Sequence, residues 1–142
     1  MASRFLDGQV SQNASYANSL AIPATPAPAL FATLGLDISN AGPGLVNVHL
    51  NATVTLGVLL AVLGTAQITI VRNGTVVVYS GIESTPAVIG STASFTVTAV
   101  DFNVPTTPDF VIYQAFISVT GIGIGVNRIG PESFNAIAYA QP

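Results

Sequence analysis

From Leu30 to Gln141 the chain repeats one pattern: short runs of β-branched and apolar residues cut by Gly, Pro, Asn or Asp. No long stretch sets apolar residues at helical spacing between caps, so the pattern predicts an all-β protein. Strands are expected at Phe31 to Ser39, Leu45 to Leu56, Val58 to Leu63, Ala93 to Asp101, Asp109 to Thr120 and Ser133 to Ala140, with two more around Asn73-Gly74. Breaks are expected at 40–44, Gly57, Gly64, 81–90, 103–108 and Gly130-Pro131. Seven or eight short strands with this punctuation predict an antiparallel two-sheet sandwich, and the jelly roll is the commonest eight-stranded form. A parallel α/β sheet is excluded, because it needs crossover helices.

Ala66 to Ser80 is the clearest local signal. Asn73-Gly74 accepts positive φ at both central positions of a type I′ turn, and the β-branched runs on either side read as a tight hairpin. Ile68, Ile70 and Arg72 share one face of the first arm, with Thr69 and Val71 on the other. Val46, Val48, Leu50, Ala52 and Val54 likewise alternate with Asn47, His49, Asn51 and Thr53. Near the end Phe134, Ala136, Ala138 and Ala140 form one row, and Asn135, Ile137 and Tyr139 the other. That strand is apolar on both faces, as a central strand or a subunit contact requires.

Only 6% of the residues are charged, against about 25% in ordinary soluble domains, and none is lysine. A domain facing water with Ala, Val, Thr, Ser and Asn leaves apolar patches that favour association, so a permanent oligomer or polymer is expected. The longest apolar run, Val58 to Leu63, falls far short of the roughly twenty residues of a membrane-spanning helix. No lipid-facing barrel with aromatic girdles is expected either. Arg4, Arg72 and Arg128 are too scattered to meet phosphates, so neither membrane nor nucleic acid is an expected partner. Without cysteine, no disulfide, thiol nucleophile or thiolate metal site is available.

Residues 1–30 differ from the rest of the chain. Ser, Asn, Gln and Ala dominate to Leu20, and prolines at 23, 26 and 28 stiffen the backbone into an extended strut. The apolar punctuation by Phe5, Leu6, Val10, Tyr16, Leu20 and Ile22 suits burial against another subunit. The expected division is a connector arm over 1–30 and a β-sandwich over 31–142. The first twenty residues lack the basic region and long apolar core of a secretory signal.

Reaction chemistry is sparse. His49, the one histidine, has no Cys or Glu at ligand spacing and reads as a hydrogen-bonding or interface residue. Asp7, Asp37, Glu83, Asp101, Asp109 and Glu132 fall at expected strand ends or loops, where carboxylates cap turns. Asp101 and Asp109 flank one loop, and sharing a Ca²⁺ there is the lesser reading. Gly121-Ile-Gly-Ile-Gly125 lacks the helix and Lys-Ser/Thr of a phosphate loop. Three Asn-X-Ser/Thr matches, at Asn13, Asn51 and Asn73, are treated as coincidental in a chain rich in Asn and Thr. No enzymatic activity, metal or cofactor is expected.

Three motifs in order resemble one family. Gly42-Pro-Gly-Leu-Val-Asn-Val-His-Leu50, Ile68-Thr-Ile-Val-Arg-Asn-Gly74 and Glu132-Ser-Phe-Asn-Ala-Ile-Ala-Tyr139 are similar to successive strands of the trimeric jelly rolls of the tumour necrosis factor and complement globular-head superfamily. The Thr, Val, Ile and Gly-rich texture looks more like its bacterial branch on Bacillus-type spore surfaces, found as heads of exosporium filaments and as subunits of endospore appendage fibres. The resemblance implies a homotrimer, with Val48, Leu50, Phe116, Phe134, Ile137 and Tyr139 as interface candidates. It also implies a fibre in which N-terminal arms link one trimer to the next. The expected place is the extracellular spore surface, reached from the mother-cell cytoplasm without a signal peptide. The partners are further copies of the chain and an anchoring protein of the spore coat or exosporium. The alternative is a trimeric adhesin or lectin-like head that binds through the loops at 81–90 and 103–108.

Overall fold

Strand β4 (Leu45–Val58) turns the alternating pattern into architecture. Val46, Val48, Leu50, Ala52 and Val54 are at most 1% exposed, because successive side chains leave a strand on opposite faces and this row meets the second sheet. The computed structural model describes residues 2–59, 64–121 and 125–142. Besides β4 it contains β1 (Arg4–Ala14), β2 (Ile22–Pro23), β3 (Ala29–Asp37), β5 (Gly64–Arg72), β6 (Val76–Ser84), β7 (Thr92–Val104), β8 (Phe110–Gly121) and β9 (Val126–Gln141).

One sheet has the order β1-β9-β4-β7, with β2 added to β9, and the other β3-β8-β5-β6. All pairings are antiparallel. Setting aside the two-residue β2, the first strand pairs with the last, the second with the seventh, the third with the sixth and the fourth with the fifth. That is a hairpin folded over on itself, the jelly roll. The core lies between the sheets, where Phe134, Leu36, Leu50, Leu56, Ile70 and Tyr113 are all 0% exposed.

The hairpin forms where expected. Asn73 and Gly74 have φ of 49° and 76°, and Thr75 N donates to the Arg72 carbonyl at 3.2 Å. The ladder, however, sets Arg72 opposite Val76 and slips between Ile70 and Val71, where Val78 of the second arm is the extra residue, and this bulge twists the edge. Asn73 also reaches across to β8. Its backbone N–H donates to the Ile112 carbonyl at 2.8 Å, and its Oδ1 accepts the Ile112 N–H at 2.9 Å.

Two expectations are corrected. Residues 1–30 are not an arm outside a sandwich that begins at 31, because β1 runs along β9 from Arg4 opposite Ala140 to Ala14 opposite Glu132. β1 pairs on one side only and is exposed along most of its length, so its sequence is polar and reads like a tail. Gly130-Pro131 is no strand end either. β9 continues through it as a bulge: Val54 faces Glu132 and Leu56 faces Arg128, so one residue of β4 spans three of β9. Gly130 at φ 84° makes this bend, and a Cβ there would lie 2.7 Å from the Tyr16 carbonyl oxygen. The expected strand Val58 to Leu63 keeps Val58 as the end of β4, while its residues 60–63, like 122–124 of the glycine run, lie outside the described residues.

Candidate assembly surface

Four of the nine charged residues are used inside, in two ion pairs. Arg72 follows the inward face of Ile68 and Ile70, crosses to the other sheet, and its Nη1 donates to both carboxylate oxygens of Asp101 on β7, at 2.8 and 2.7 Å. Tyr113 on β8 donates its hydroxyl to the same carboxylate at 2.8 Å. Burial, then the Asp101 hydrogen bond and negative charge, push the Tyr113 phenol well above its ordinary range, with Arg72 opposing. Arg72 therefore ties the sheets together. Asp101 turns into this cluster, whereas Asp109 is exposed.

A second cluster fastens β1. Arg128 Nε and Nη2 each donate to the wholly buried Glu132 carboxylate at 2.7 Å, and Asn13 Nδ2 donates to its Oε1 at 2.8 Å. Among the described residues no three His, Cys, Asp or Glu side chains converge as a metal site would need.

With these charges turned inward, the outer face of the first sheet carries none. The register places four rows on it: Phe5, Tyr139 and Asn47; Gly8, Ile137, His49 and Val100; Val10, Asn135, Asn51 and Thr98; Gln12, Ser133, Thr53 and Thr96. None of the four rows contains Asp, Glu, Lys or Arg. At the lower rows hydrogen bonds close the polar side chains on one another, Asn51 with Asn135 and Thr98, and Thr53 with Thr96. At the upper rows His49 Nε2 and the Tyr139 hydroxyl are 2.7 Å apart, their rings edge to face at 5.0 Å. Around them Phe5, Ile137 and Val10 are 64%, 50% and 78% exposed. This is the broad, uncharged, partly apolar face that monomers avoid.

The interface candidates separate accordingly. Val48, Leu50 and Phe134 are 0% exposed in the sandwich interior and are unavailable to a partner without unfolding. Ile137 and Tyr139 lie together on the outer face, while Phe116 is half-buried on the opposite sheet, opposite Leu30 and Thr69. Of the arm candidates, Phe5, Val10, Tyr16 and Ile22 are exposed, whereas Leu6 packs against the core and Leu20 is half-buried. Sequence reading missed the grouping of Phe5 and Val10 with His49 and Tyr139, since it depends on β1 pairing with β9. The alternation Gly8, Val10, Gln12 was the available signal.

Edges are open as well. β6 and β7 end the two sheets on the same side, and between their inward faces is a cleft of about 440 Å³ lined by Ile68, Tyr79, Phe95 and Val97, with Glu83 beside it.

No family model and no curated protein matches the chain. Solved structures similar to it include dimeric latent PorU from Porphyromonas gingivalis, at 10% identity and a TM-score of 0.48 over 97% of this chain and 13% of that one. Another is the VP2 subviral particle of infectious bursal disease virus, at 8% identity and a TM-score of 0.49 over 95% of this chain and 33% of that one. A third is a subunit of Bacillus endospore appendages, described as disulfide-linked pili, at 15% identity and a TM-score of 0.37 over 98% of this chain and 91% of that one. The chain thus spans 13% of PorU and a third of VP2.

Proposed function

We propose that this protein is a structural subunit that self-assembles into a spore-surface appendage fibre, with homotrimers as its repeating unit. The observation that carries the reading is the uncharged outer face of the first sheet, where Phe5, Val10, Ile137 and Tyr139 surround His49. Packing this face against further copies removes apolar surface from water without stranding a charge, at about 25 cal/mol per Å² of apolar area. A threefold arrangement closes on itself and leaves the open β6 and β7 edges free for further contacts. Phe5 and Val10 belong to this face through β1, and the exposed Tyr16 and Ile22 add apolar surface beyond it. With no cysteine, such a fibre is held by packing and hydrogen bonds alone. Its spore-surface location and its anchoring protein are drawn from the resemblance of the three strand motifs.

Sedimentation velocity on wild type and Ile137→Lys tests this. Ile137 is half exposed, so the substitution changes monomer stability by no more than about 0.5 kcal/mol. The wild type should sediment as an oligomer and the variant as a monomer. A monomeric wild type, or a variant that assembles equally well, refutes the reading. A second reading, a glycan-binding head, is favoured by Phe102, near the end of β7, and Phe110, at the start of β8, which are 67% and 48% exposed on either side of the 105–109 connection. Glycan-array binding that is lost in Phe102→Ala would establish it instead.

A further inference from the structure

We propose that His49 makes association through the outer face of the first sheet pH-dependent, the copies holding together at neutral and alkaline pH and separating as acid puts a proton on its imidazole. This role rests on the self-assembly reading and is the regulation of that same face.

The register places His49 where a proton matters. It is the chain's one histidine, and histidine is the side chain whose ordinary titration lies between about pH 5 and 8. On β4 it stands between Asn47 and Asn51, with Ile137 of β9 on one flank and Val100 of β7 on the other, and Gly8 of β1 beyond Ile137. The Phe5 ring covers Gly8, where a Cβ would meet it at 3.4 Å. His49 is exposed within this uncharged cluster, so a second copy packed on the face covers it.

No neighbouring group offsets a charge on the ring. From β9 the facing titratable group is Tyr139, whose hydroxyl lies 2.7 Å from Nε2. On β7, Asp101 follows Val100 but turns inward to Arg72 and Tyr113. On β1, Asp7 Oδ2 accepts the Asp37 N–H of β3, and Arg4 donates to the Asn40 and Ala41 carbonyls. Protonated imidazole donates from both nitrogens. Nε2–H can go to the Tyr139 oxygen, which then turns its own proton outward, but Nδ1 has no hydrogen-bond partner among the described residues. Packing would take that second N–H and the positive charge out of water, with no carboxylate in the four rows of either copy to receive them.

Protons therefore pull the copies apart. The free subunit takes up the proton and the packed face does not, so association is full at alkaline pH and is lost as pH falls through the range in which imidazole titrates. The loss is up to about tenfold in the association constant per pH unit for each histidine covered. The rest of the chain pushes the other way, because acid reduces the net charge of −3 and with it the repulsion between copies. Weaker association on acidification is thus the mark of the imidazole.

Sedimentation velocity of the full chain at about pH 8 and pH 5 and constant ionic strength tests this role in wild type, His49→Gln and His49→Lys. Circular dichroism checks that each protein is folded at both values. The reading is the ratio, within each protein, of the concentrations at which half of it is associated at the two pH values, so differences in absolute strength between variants drop out. For wild type this concentration should rise more than about tenfold on acidification. For His49→Gln it should stay level or fall, since only carboxylates remain to titrate, and His49→Lys, charged throughout, should associate more weakly than wild type already at pH 8. A wild-type rise no larger than that of His49→Gln, or a His49→Lys variant that associates as tightly as wild type at pH 8, would overturn the role of His49 and leave self-assembly standing. A wild type that is monomeric at both values would remove self-assembly, and this role with it.

Discussion

Replacing Glu132 by Gln tests whether the Arg128 cluster is a closed, water-free unit. Glu132 is 0% exposed and its side chain accepts two bonds from Arg128 and one from Asn13. The amide keeps the shape and part of the hydrogen bonding but leaves the guanidinium of Arg128, 5% exposed, without a counter-charge. Breaking one side of a buried pair costs about 3–5 kcal/mol, against a total stability of about 5–15 kcal/mol for a domain. At roughly 2–4 °C per kcal/mol for chains of 150 residues or more, the midpoint should fall by about 10 °C. Arg128→Met should cost a similar amount, because it strands the carboxylate. The double variant Arg128→Met with Glu132→Leu should recover most of the loss, since two apolar groups replace the pair and the exposed Asn13 amide can turn to water. Urea unfolding followed by circular dichroism, at a protein concentration low enough to prevent association, gives the cycle. Single variants losing under about 1 kcal/mol, or a double variant that loses the sum of the singles, would refute the argument.

Tyr113→Phe removes the phenol that donates to Asp101 and should cost about 1–3 kcal/mol in the same urea assay, with Arg72→Ala costing more because it leaves Asp101 buried without its cation. Gly130→Ala should destabilise by about 1–2 kcal/mol or more, from the left-handed backbone and from contact with the Tyr16 carbonyl, measured as a drop in melting temperature. Asp37 accepts hydrogen bonds from the Ser39 side chain and backbone, which hold its carboxyl below the ordinary 3.8. Its contribution to stability is therefore present above 3.8 and lost as pH falls through the lower folded value. Titration by NMR should show that lower midpoint, and Ser39→Ala should move it back toward 3.8, while an unmoved midpoint would contradict the hydrogen-bond cause.

What the sequence determined by itself is local: which residues form strands, and which face each side chain takes. The rows Val46 to Val54 and Phe134 to Ala140 could be read from alternation alone, because strand side chains switch sides at every residue whatever the partner. The positive-φ turn at Asn73-Gly74 is local in the same way. Tertiary structure decided membership and partnership. β1 is a strand only because β9, more than a hundred residues away, offers a free edge, and an edge strand wetted on one side keeps a polar, tail-like composition. Arg72 becomes a tie between the sheets, rather than a charge at a turn, only when the jelly roll brings Asp101 beneath it. Val48 and Phe134 look like interface residues in one strand at a time, and the opposing sheet claims them for the core. Alternation says that a residue has an inner face to meet, and only the packing of distant strands says whether that face belongs to the core or to another molecule.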